Sequence, residues 1–160
     1  MNPMLTILGP ALLLTAGCET ISIDRLAPTS LHLATVQTHL TQQWGLQFDE
    51  GHNPHQNTRH GSVNQPSGGR LSAILGGRIP GQVRTISCQA YGSPPETATA
   101  FLRACASLPF PNQPATVLPT PTWPRYHRTT LNGIHYRLTS VPEKSLWVLR
   151  LSMPDNSPLP

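Results

Sequence analysis

The sequence predicts an α+β domain in which a small antiparallel sheet of about five strands carries two helices packed on one face. Three observations predict it. Apolar residues recur at helical spacing in two segments, they alternate at strand spacing in several others, and two turn signals, Pro80-Gly81 and Asn132-Gly133, join pairs of those strands. A chain of 160 residues has room for one such domain, assigned to residues 29–153 and followed by a tail, 154–160.

Thr29 or Ser30 is placed to cap a helix running to about Trp44, with Leu33, Val36, Leu40 and Trp44 on its apolar face and Gly45 to end it. Leu46-Gln47-Phe48 reads as a short strand. Residues 50–69, rich in Gly, Asn, Gln, His, Ser and Pro and almost free of apolar side chains, read as a mobile loop. Strands over 70–77 and 82–91 flank the Pro80-Gly81 turn. In the second of them Val83, Thr85 and Ser87 alternate with Arg84, Ile86 and Cys88, which leaves its buried face open.

Ser93-Pro94-Pro95-Glu96 has the Ser and Glu of a capping box, and Ala98, Phe101, Leu102, Cys105 and Leu108 then fall on one helical face. Residues 109–124 hold six prolines and read as an extended connector. Beyond it, strands over 127–131 and 134–141 flank Asn132-Gly133, the strongest short hairpin signal. A third strand covers 146–153. Ile134, Tyr136 and Leu138 mark the apolar face of this meander, joined by Trp147, Leu149 and Leu151. The order of elements is similar to that of small chaperone-like and secretion-adaptor folds, a resemblance of topology that implies a peptide or protein ligand.

From Met4 to Cys18 the chain is almost wholly apolar, and at about fifteen residues it falls short of the ~20 a membrane-spanning helix needs. It reads as the core of a signal peptide, 1–17. Thr15-Ala16-Gly17-Cys18 resembles the lipobox of bacterial lipoproteins, with Thr15 where that family usually has Leu and no Lys or Arg before Arg25. The resemblance implies cleavage before Cys18, acylation of its sulfur (palmitate among the acyl groups), and a lipid anchor in the cell envelope facing the periplasm or the exterior. Residues 18–28 then form a tether. With Cys18 acylated, Cys88 and Cys105 remain as an even pair that an oxidising compartment tends to join, closing a loop worth about 3 kcal/mol in the chain-entropy model.

Eleven Lys and Arg against seven Asp and Glu give a formal net charge of +4, but the basic residues are scattered and no aromatic residues interleave with a basic run. Nucleic acid is therefore not an expected partner. Catalysis finds little support. There is no Gly-x-Ser-x-Gly elbow, and Gly68-Gly69 and Gly76-Gly77 lack the spacing and Lys of a phosphate loop. Asp49-Glu50, adjacent on a strand, would point to opposite faces. A small exported hydrolase using Cys88 or Cys105 with His127 or His135 would need a free thiolate. A second alternative is a metal-binding protein, with His52, His55 and His60 beside Asp49 and Glu50 as ligands for Zn, Ni or Cu. His32 and His39, seven apart, fall on one side of the first helix. The expected function is a lipid-anchored envelope accessory protein that binds an envelope protein, without enzymatic activity and with no cofactor.

Overall fold

Asn132 and Gly133 take positive φ, 49° and 80°, the backbone of a two-residue hairpin turn, and they fold strand upon strand as the sequence predicts. The computed structural model describes residue 28 and residues 30–49, 57–110 and 125–154. In chain order the elements are β1 (Leu31–His32), α1 (Leu33–Trp44), β2 (Gln47–Phe48), β3 (Thr58–Asn64), β4 (Arg70–Gly76), β5 (Gln82–Val83), β6 (Thr85–Tyr91), α2 (Pro95–Ser107), β7 (Tyr126–Leu131), β8 (Ile134–Val141) and β9 (Leu146–Ser152). A short 3-10 turn, Pro142–Lys144, joins β8 to β9.

The expected five-stranded sheet with two helices on one face is corrected to a mostly β structure. Seven strands form one antiparallel sheet in the order β2-β3-β4-β6-β9-β8-β7, and β1 pairs separately with β5. Of the two helices, α2 lies across the middle of the large sheet, on β6 and β9, while α1 packs beside β1 and β2 and meets α2 where Trp44 and Phe101 stack edge to face at 5.2 Å.

The sheet is larger because β3 runs through the polar segment that reads as loop, 50–69. Its inward positions are Arg59, Gly61 and Val63, which show no apolar alternation. The missing side chain is supplied from next door. Phe48, the register partner of Gly61, lays its ring where a Cβ on Gly61 would stand, 2.6 Å from Cε1, so the strand needs glycine at the site a pattern search expects to be apolar. Residues 50–56, residues 111–124 of the connector, the leader and residues 155–160 of the tail lie outside the described residues.

Both helices start later than their capping signals suggest. Leu31 and His32 are held in a strand, and the backbone N–H of Leu33 donates to Gly81 O at 2.9 Å, so α1 begins after His32 with no side-chain cap. Pro95 forces the residue before it, Pro94, into an extended conformation (φ −53°, ψ 143°), and α2 starts one residue beyond the expected box. Ser93 Oγ instead donates to Tyr91 O at 3.5 Å. At the other end Gly45 closes α1 as expected, with φ 71° and its N–H on Thr41 O.

The ambiguous alternation in residues 82–91 has a local cause. Arg84 and Thr85 both face Gly76, Arg84 through an N–H bond to its carbonyl at 2.7 Å and Thr85 as its register partner. That bulge shifts the phase, so Val83 and Ile86 are both buried although three residues apart. Beyond it Ile86, Cys88 and Ala90 join Leu71, Ala73 and Leu75 of β4, Leu149 and Leu151 of β9, and Ile134, Tyr136 and Leu138 of β8 in one core under α2.

Candidate functional site

Alternate residues of the same strands point away from that core and form the other face of the sheet, which no helix among the described residues covers and which is called the open face. Across β7, β8 and β9 the register sets Arg128 opposite Arg137 and Arg137 opposite Arg150. All three are exposed. Adjacent strands lie about 4.8 Å apart, so the row spans ~10 Å. Like charges directly opposite each other destabilise a sheet. No acidic side chain among the described residues stands in the strands beside them, since Asp49, Glu96 and Glu143 all lie outside the strands. Glu143 is paired with Arg125 at the turn beyond β8.

Tyr126, next to the row, is half exposed and tied to it. Arg137 Nε donates to its hydroxyl at 3.2 Å, and the guanidinium carbons of Arg128 and Arg137 lie 5.7 and 5.5 Å from the ring centroid. The Arg137 hydrogen bond holds the Tyr126 phenol below its ordinary value of 10.0. In contrast, burial pushes Tyr136, on the inner face of β8, up to about 12, and its hydroxyl donates to Ala106 O of α2 at 3.4 Å.

On the opposite side of the molecule a groove of about 480 Å³ runs between α1 and the end of α2. Ser30 and Leu31 line it together with Val36, Ala104 and Leu108, so the chain comes in beside the helices and away from the open face. His32 and His39 both line this groove, but only His39 is on α1; His32 belongs to β1, so the two are not on one side of a helix as their spacing suggests.

Cys88 of β6 and Cys105 of α2 form a disulfide with Cα atoms 6.6 Å apart, fastening the helix to the sheet it covers. Both sulfurs are bonded, so neither is a thiolate for His127 or His135; the His135 Nδ1 instead meets Thr130 Oγ1 at 2.9 Å. Of the metal candidates, His60 lies on β3 with Nδ1 3.7 Å from Asp49 Oδ2. His52, His55 and Glu50 lie outside the described residues, as does Cys18, and among the described residues no cluster of three metal-ligating side chains forms.

The arginine row is the feature a linear reading misses. Half of it is encoded in the turn: a two-residue loop at Asn132-Gly133 pairs Leu131 with Ile134 and so places Arg128 opposite Arg137. Arg150 joins through the Val141 to Leu146 pairing, which depends on the 3-10 turn. No protein-family model matches the chain, and neither a curated protein nor a solved structure matches it.

Proposed function

We propose that the chain is a lipid-anchored accessory protein of the cell envelope, held to the membrane through Cys18, that works by binding and not by catalysis and offers its open sheet face to the partner. The observation that carries the reading is the one-sided sheet: a disulfide-fastened core on one face, and on the other a row of three arginines in register with no acidic side chain of the described residues in the strands beside it. Two further observations agree with it. A bridge between Cys88 and Cys105 suits an oxidising compartment. Ser30 and Leu31, at the start of the domain, line the groove between the helices, on the side away from the arginine row.

Intact mass spectrometry of the protein from its membrane fraction, before and after reduction, tests the anchor. A mature chain starting at Cys18 with added acyl mass, gaining two hydrogens on reduction, supports the reading. An unprocessed chain with three free thiols overturns it.

A further inference from the structure

The geometry points to an acidic polysaccharide, a linear polymer bearing carboxylate or phosphate groups, as the occupant of the open face; the inference rests on the envelope-binding reading above. Arg128, Arg137 and Arg150 repeat one strand spacing apart, with repulsion that no acidic side chain among the described residues of these strands relieves. A ligand relieves it by presenting negative charge at similarly close intervals. A polymer with an acid group on successive sugars does so by its covalent repeat, and each guanidinium can hold an oxyanion through two hydrogen bonds.

Beside the row, two residues along the strands, lie Tyr126, Thr139 and Val148, in register with one another. An aromatic ring, a hydroxyl and a short apolar side chain suit a sugar ring, which has both C–H faces and hydroxyls. Other occupants fit less well. A protein interface has an apolar centre, whereas the exposed large apolar side chains here, Ile74, Tyr91 and Tyr126, stand on three strands with no two in register. Lipid headgroups move independently in a bilayer and hold no fixed spacing to match the row.

Full-chain protein in detergent is titrated at low salt with polygalacturonate, neutral dextran, polyglutamate, single-stranded DNA and mixed micelles containing phosphatidylglycerol. Polygalacturonate should bind tightest and dextran not at all, with affinity falling as salt rises. Arg137→Gln should weaken polygalacturonate about tenfold or more, while Lys144→Gln, which removes the same charge from the turn outside the sheet, should change it less than about twofold. The triple variant R128Q/R137Q/R150Q should not bind, yet should melt at or above the wild-type temperature because it removes repulsion. The ligand assignment is overturned by absent polygalacturonate binding, by tighter binding of polyglutamate, DNA or the anionic micelles, or by equal losses in Arg137→Gln and Lys144→Gln. Acylation of Cys18 is read separately by mass, so the ligand and the anchor fail by different measurements.

Discussion

The two faces of the large sheet are built from the same strands, often from adjacent residues, and they answer to different demands. Leu149 is fully buried between Cys88 and Leu138, whereas Arg150, the next residue on β9, stands exposed opposite a second arginine. The inner face is chosen for volume and apolarity, the outer face for charge placed at a small cost in stability. The difference teaches that the one-sidedness of the sheet separates what holds the fold from what it offers a partner.

The comparison breaks most visibly at Leu149. Truncation to Ala should destabilise the protein by about 3 kcal/mol, within the range for buried Leu, and chemical denaturation measures it; a loss under about 1 kcal/mol would mean the inner face is not packed as described. Reducing the Cys88 to Cys105 bridge should lower stability by about 3 kcal/mol, since it closes a loop with a separation of 17 residues. Denaturation with and without reductant reads this effect. Gly61→Ala should cost about 1–3 kcal/mol, because the new methyl meets the Phe48 ring and overpacked sites lose energy on that scale; in the Phe48→Ala background the penalty should shrink.

A pH titration sharpens the contrast at Tyr136. Its folded pKa lies above the unfolded value, so the folded state keeps its proton where the unfolded state has lost it, and stability should fall as pH rises from about 10 toward about 12. Tyr136→Phe should flatten that fall. The smallest effect belongs to the outer face. Arg137→Gln should leave stability unchanged or raise it by about 0.2–1 kcal/mol, the scale of one cross-strand pair.

The sequence made the C-terminal meander legible, because a two-residue turn and clean alternation over Ile134, Tyr136 and Leu138 set both its register and its inner face. It concealed β3, where the inward slot at Gly61 is filled by another strand's ring, and it blurred the 82–91 strand, where the bulge at Arg84 reverses the phase. Capping signals misled by a residue or more, at α1 because a tertiary contact, the β1 pairing at Leu31 and His32, took the backbone first, and at α2 because Pro95 locally holds Pro94 extended. The arginine row was half legible. Arg128 and Arg137 follow from the turn at Asn132-Gly133, but Arg150 required the pairing of β8 with β9, which no local signal sets.

Thermal denaturation of the wild type and of R128Q/R137Q/R150Q, each with and without polygalacturonate, tests most directly that the open face is kept for binding. The triple variant should melt at or above the wild type when alone, and only the wild type should gain in melting temperature with the polymer, since a ligand stabilises the state that binds it. A triple variant that melts well below the wild type, or that gains as much from the polymer, would contradict the division between the two faces.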